Sequence, residues 1–240
     1  MTKIRKIGLF AIGLGLCLLL LLYGLRLYIN DHQNQLFGEV ISRVETQQKV
    51  IALTFDDGPK PKRTERILKI LDDENIKATF FLNGKLLKKY KSQSMALVES
   101  GHQLANHSYN HDAMVFVSYG HVTEEIESTT KILREYGYQG ELHFRPPFGK
   151  SFFNLPRYLE NNSIKTIAWD VEPETWGDNR ADAQEQVKRA LEQTRPGSII
   201  IMHVMFGDEQ SITAAPMIIK ELKAQGYRFV TVDELLSLNG

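Results

Sequence analysis

From Val50 onward, short apolar runs alternate with longer amphipathic stretches, and that alternation leaves a chain few ways to fold. Strands are expected near residues 50–55, 77–82, 102–106, 142–145, 164–169, 198–203 and 228–231, each followed by a helical stretch. Arg63 to Asp73, Thr123 to Tyr136 and Ala181 to Gln193 are helix candidates, with Thr123 placed to N-cap the second ahead of Glu124 and Glu125. Strands separated in this way pair in parallel, because the chain must cross back over the sheet before the next one can start. A strand as continuously apolar as Ser198-Ile199-Ile200-Ile201-Met202 needs cover on both faces. Seven such units predict an α/β barrel rather than a sandwich. With 240 residues, 42% of them apolar, there is material for one sizeable core.

The N-terminus has a different character. Lys3, Arg5 and Lys6 precede an uncharged, leucine-rich run from Ile7 to Leu25, long enough to cross a bilayer as a helix. The sequence Tyr23-Gly24-Leu25-Arg26-Leu27-Tyr28 offers no small-residue cleavage site, so an uncleaved anchor is expected. Cys17, the only cysteine, follows Leu16 inside the run; it suits no lipid attachment, and no internal disulfide is possible. The basic flank predicts a single pass through the cytoplasmic membrane, with the following domain on the extracytoplasmic side. The expected division is residues 1–29 as cytoplasmic N-terminus and anchor, 30–49 as a polar tether with a short lead-in strand around Glu39 to Val44, and 50–240 as the folded domain. Lys+Arg and Asp+Glu stand at 29 each, so no net field recruits a polyanion; a neutral substrate is expected and nucleic acid is not.

The chemically unusual residues share one kind of place. Asp56 and Asp57, His107 and His111, Arg145, Trp169 with the acids after it, and His203 all sit at or just past the C-terminal end of an expected strand, the face where barrel enzymes build their sites. Asp56-Asp57-Gly58-Pro59 is turn chemistry by composition, yet adjacent carboxylates at a strand end point in different directions and can serve different partners. His107 and His111 are spaced i, i+4, which one helical turn would bring to a common face; with Asp57 they make a two-His, one-carboxylate set that leaves room for water on a divalent ion. Arg145, followed by Pro146-Pro147-Phe148-Gly149, is suited to pair with Asp56 while the rigid loop aims a backbone N–H into the site. His203 ends a buried strand on that same face, as an acid would. Trp169 and Trp176 bracket Asp170, Glu172 and Glu174, and one of the indoles is suited to a sugar pocket.

These motifs resemble, in order, those of the polysaccharide deacetylases of carbohydrate esterase family 4, the NodB-like domain: Thr54-Phe55-Asp56-Asp57-Gly58-Pro59, His107-Ser108-x-x-His111, Arg145-Pro146-Pro147-Phe148-Gly149 and the apolar strand into His203. The resemblance implies a distorted (β/α)7-8 barrel and a divalent metal, zinc by preference, on Asp57, His107 and His111. It also implies Asp56 as catalytic base, His203 as acid, and Arg145 beside the base. Pro147, Phe148, Trp176, Glu172 and Glu174 fall to the oxyanion and the substrate. The implied reaction is N-deacetylation of an aminosugar glycan with release of acetate; a deacylase or deformylase of a lipid-linked sugar and a non-catalytic glycan-binding module are the alternatives. One motif departs. Where the family usually has Asp-x-x-Asp-Trp, this chain has Glu172-Pro173-Glu174-Thr175-Trp176, so the carboxylate expected to orient His203 must be Glu172, Glu174 or Asp170, with Glu174 preferred as nearest in sequence.

Overall fold

The computed structural model describes residues 3–207 and 209–239. In chain order the elements are α1 (Lys3–Asn30), β1 (Val40–Ile41), β2 (Val50–Asp56), α2 (Arg63–Asp73), β3 (Thr79–Leu82), α3 (Gly84–Lys89), α4 (Lys91–Glu99) and β4 (Gln103–Asn106). They continue with α5 (Tyr119–Glu135), a 3-10 turn at Pro147–Gly149, α6 (Asn154–Asn161), β5 (Thr166–Ile167), α7 (Ala183–Gln193), β6 (Ile199–Met202), α8 (Glu209–Ala224), β7 (Arg228–Val230) and α9 (Val232–Leu236). The chain is α/β, and every regular strand pair in it is parallel.

β2 is the centre. All seven of its residues are buried, as a strand covered on both faces must be. β6 pairs along Ala52 to Phe55, β7 takes Val50 to Ala52, and β3 takes Thr54 to Asp56. β4 extends the sheet beyond β3. The regular ladder ends there. The stretch expected as a strand at 142–145 makes only single bridges, from Phe144 to Asn106 on one side and to Thr166 on the other, and β5 pairs with β1 over two residues. Regular pairing therefore forms a five-stranded sheet and a separate pair, not a complete seven- or eight-stranded ladder. Pro146 and Pro147 have no N–H with which to continue the ladder past Phe144, and the carbonyls of Ile167 and Ala168 are taken by the Arg145 guanidinium instead.

Two helix boundaries also differ from the sequence reading. α5 begins four residues before Thr123, because the Ser118 side chain accepts from the His121 N–H and caps the helix there. α7 begins at Ala183, capped by Asp182 through the Glu185 N–H.

α1 carries one window apolar and long enough to cross a membrane, Phe10–Asn30, with mean hydropathy 2.2 and none of it buried against the rest of the chain. The stretch after it is polar in composition but packed in part. Phe37 meets Phe153 edge-on, Val44 is fully buried, and Arg43 donates to the Pro196 carbonyl.

Candidate active site

The sheet ends where the carboxylates begin. Asp57 takes φ +66° and Gly58 φ +86°, which no ladder can follow. A Cβ at Gly58 would also stand 2.8 Å from the sulfur and methyl of Met205, whose side chain would have to shift. The turn sends the two carboxylates to different neighbours. Asp56, almost wholly buried, receives Arg145 Nη1–H on Oδ1 at 2.5 Å. Asp57 Oδ1 lies 3.3 Å from His111 Nε2 and 3.9 Å from His107 Nε2.

Arg145 is fully buried, and its partners account for that. It donates to Asp56, to Thr54 Oγ1 at 2.8 Å and to two carbonyls at 3.0–3.1 Å, while its plane lies 3.9 Å over the Phe81 ring. Burial alone would raise the pKa of Asp56; Arg145, with His107 and His203 nearby, outweighs it and holds the carboxyl below its ordinary value.

The two histidines come together without a helix. They stand on the loop after β4, where Ser108 (φ +64°) and His111 (φ +67°) turn the backbone so that the rings lie 5.0 Å apart. The i, i+4 spacing is satisfied by this loop rather than by a helical turn. Glu125 of α5 holds it in shape: one carboxylate accepts from the Tyr109 N–H at 3.0 Å, the Asn110 N–H at 2.8 Å and the Asn110 side chain at 2.6 Å. Sequence reasoning missed Glu125. The signal was there, since it shares a buried stripe with Val122, Ile126, Thr129 and Leu133, where an acid needs partners.

His107 Nδ1 lies 2.8 Å from the Arg145 carbonyl oxygen, which can only accept, so Nδ1 carries the hydrogen and Nε2 presents its lone pair between Asp56 Oδ2, at 3.6 Å, and Asp57 Oδ1, at 3.9 Å. Burial lowers the pKa of His107 against the opposing pull of Asp56 and Asp57, which favours the neutral, ligating form. Asp57, His107 and His111 each offer one donor atom, all within 4.8 Å of one another. Two imidazoles and one carboxylate, with the tautomer already set, fit a divalent cation of the zinc type. Two other groupings of potential ligands occur among the described residues, but Glu125 in one is committed to its loop and His143 in the other lies 2.5 Å from Asp233.

His203, just past β6, faces Glu174. Nδ1 is 2.5 Å from Glu174 Oε2, and the His203 backbone N–H donates to the same carboxylate at 2.9 Å. Burial pushes the imidazole pKa down; Glu174, by hydrogen bond and charge, and then Asp56 and Asp57, push it up to about 9. The other two carboxylates are engaged elsewhere. Glu172 accepts the indole N–H of Trp169 at 3.1 Å on one oxygen and that of Trp176 at 2.9 Å on the other. Asp170 takes the Ile199 N–H and the Ser198 hydroxyl. Thr175 turns away from the site, accepting from the Ala181 N–H and donating to the Asn179 carbonyl.

A cleft of about 860 Å³ joins these groups. On its rim Trp176 is 54% exposed and stands edge-on to His203 at 4.8 Å, while Phe148 is 60% exposed and edge-on to His111 at 4.7 Å. Phe148 sits at φ +60° on the turn that follows Pro146 and the buried Pro147.

Comparison with known proteins gives the same neighbourhood. The family model described as polysaccharide deacetylase matches residues 43–167. The peptidoglycan-N-acetylmuramic acid deacetylase PdaC of Bacillus subtilis is 35% identical over 193 residues, covering 80% of this chain and 40% of PdaC. A bifunctional xylanase/deacetylase of Pseudobutyrivibrio xylanivorans is 34% identical and 31% covered, so the chain spans less than half the length of these two relatives. Among solved structures, the Bc1960 peptidoglycan N-acetylglucosamine deacetylase superposes with TM-score 0.75 at 28% identity, covering 82% of this chain and 92% of that one. BA3943 of Bacillus anthracis, described as a CE4 family pseudoenzyme, superposes with TM-score 0.76 at 27% identity, covering 84% and 70%.

Proposed function

The chain belongs to the polysaccharide deacetylase family, and from that premise we propose that it hydrolyses the N-acetyl amide of aminosugar units in an envelope or extracellular glycan, releasing acetate and leaving a free amine. The observation that carries this reading is one cleft that unites an Arg145-held Asp56, the donor set Asp57, His107 and His111, and a Glu174-backed His203. A divalent ion, zinc by donor type, would be held by that set and would supply Lewis acidity to the acetyl carbonyl and to water. Asp56, kept ionised by Arg145, takes the proton of the attacking water. As the carbon–nitrogen bond breaks, His203 gives its proton to the departing nitrogen; an unprotonated amine would be a far poorer leaving group. The Phe148 N–H, on the turn set by Pro147, donates to the developing oxyanion, and Trp176, braced by Glu172, offers its exposed ring to the sugar. Phe144 and the short β1–β5 pair link the sheet into a distorted barrel whose strand ends carry these groups. α1 serves as the membrane anchor, with the cleft on the extracytoplasmic side.

Full-length chain recovered from the membrane fraction, solubilised and incubated with a panel of N-acetylated glycans, is expected to release acetate; a strong chelator should stop the release and added zinc restore it. Undiminished turnover under chelation, or no acetate from any glycan, rejects the proposal.

Glu174 gives a second expected result. Glu174→Gln removes the charge that opposes burial at His203, so the imidazolium loses its proton at lower pH. The alkaline limb of kcat/KM should move down by about 1–3 pH units while the acid limb, set by Asp56, stays in place. Glu172→Gln should leave that limb where it is. An unmoved limb in Glu174→Gln would show that His203 is not the acid.

A further inference from the structure

The residues after α1 reach into the cleft. Asn30 and His32 line it together with Asp57 and His203. The His32 imidazole lies flat on the Trp169 indole, centroids 4.3 Å apart and planes 5° from parallel, and its Nε2 is 3.0 Å from the Trp169 carbonyl oxygen. That oxygen only accepts, so Nε2 carries the hydrogen and Nδ1 of the neutral ring is left as an acceptor. The close approach depends on Gly149: a Cβ there would lie 2.6 Å from His32 Cβ and 2.9 Å from the Trp169 ring. Trp169 is tied through Glu172 to Trp176, and Trp176 stands against His203. A connected wall thus runs from the end of α1 to the proton donor. Its first member lies outside the family match, which begins at residue 43.

A histidine stacked on a tryptophan is often packing and no more. Two features argue for more here. The ring belongs to the lining of the cleft, and it covers a face of the Trp169 indole, which is left only 8% exposed, so that the surface the cleft presents there is His32 itself. We infer that His32 is a specificity-determining residue of this cleft, forming with Trp169 the surface against which the sugar unit beside the reacting one lies and accepting a sugar hydroxyl on Nδ1. The class of ligand, an N-acetylated aminosugar oligomer, rests on the function proposed above.

Binding can be read without turnover, because the chain's two tryptophans, Trp169 and Trp176, both line the cleft and their fluorescence reports on it. The full-length solubilised chain is titrated with a β-linked N-acetylglucosamine tetramer and with the monomer. His32→Ala is expected to raise the Kd for the tetramer five-fold or more, to change that for the monomer less than two-fold, and to leave metal content unchanged. Unaltered tetramer binding, or an equal loss for both ligands, overturns the inference; so does a wild-type chain that responds to neither. Should His32→Ala fail to fold, His32→Phe keeps the flat stack, lacks the acceptor, and is expected to show the same selective loss. A wild-type chain that binds the tetramer, loses that binding in the variant, yet releases no acetate rejects the proposed reaction and leaves the role of His32 standing.

Discussion

Replacing Asp57, His107 or His111 by alanine is expected to remove the bound divalent ion and to lower acetate release by about 10³-fold or more, since Lewis-acid assistance is worth several kcal/mol of barrier and about 1.4 kcal/mol is a factor of ten. Each residue supplies one of three donors; of the neighbouring groups, Asp56 gives Oδ1 to Arg145 and leaves only Oδ2, 3.6 Å from His107 Nε2, while His203 is paired with Glu174. His107 should be the most damaging of the three for the site's shape, because its Nδ1–H also ties the loop to the Arg145 carbonyl. Elemental analysis of the purified variants gives the stoichiometry, and His121→Ala, from a separate grouping on α5, should retain the ion in full. A variant that loses the ion but deacetylates at the wild-type rate would falsify the metal-dependent reading.

Arg145→Met is expected to cost about 3–5 kcal/mol of stability, the range for stripping one partner from a buried ion pair. The guanidinium serves Asp56, Thr54 and two backbone carbonyls at once, and no water-exposed substitute is at hand because the site is fully buried. Activity should fall with it, and in a pH-dependent manner. In the wild type the Asp56 pKa lies below its unfolded value, so the pair stabilises the fold above that unfolded value and the contribution fades as pH falls through the folded one. Without Arg145, burial dominates and the Asp56 pKa rises, which moves the acid limb of the rate profile upward and lessens stability near neutrality. Arg145→Lys keeps a charge but cannot reach four acceptors from one plane, so it should recover only part of either loss. Denaturant unfolding and the acid limb of kcat/KM measure the two effects. Wild-type stability together with an unmoved acid limb in Arg145→Met would show that the pair does neither job.

His203 titrates in the opposite sense. With its pKa pushed up to about 9, the Glu174 pair stabilises the fold fully below the unfolded histidine value, and that contribution is lost as pH rises through about 9. The same pair also ties the loop bearing Glu174 to the C-terminal end of β6.

Much of this protein is legible in its sequence. The period of the apolar runs, the turn chemistry at Asp57-Gly58 and the charge of each residue at a strand end are local properties, and local chemistry decided them: β2 ends at Asp56 because the next two residues take positive φ, and α2 spans the residues its amphipathic pattern marked. The family resemblance rested on the same short motifs. Other features depended on how distant segments meet. Sequence proximity favoured Glu174 among Glu172, Glu174 and Asp170 as the partner of His203 but supplied no contact; the path of the loop between β5 and α7 took the histidine to Glu174, the indoles to Glu172 and the start of β6 to Asp170. Spacing suggested a helical turn for His107 and His111, whereas Glu125, from an element that follows in sequence, holds them in a loop. His32 lies 137 residues from Trp169, and no periodicity relates two residues so far apart. The sequence determined which chemistry was available and on which edge of the sheet it would stand, because those follow from neighbours along the chain; which carboxylate meets which partner was decided by tertiary packing, because a buried polar group must be satisfied by whatever the fold brings within about 3 Å of it.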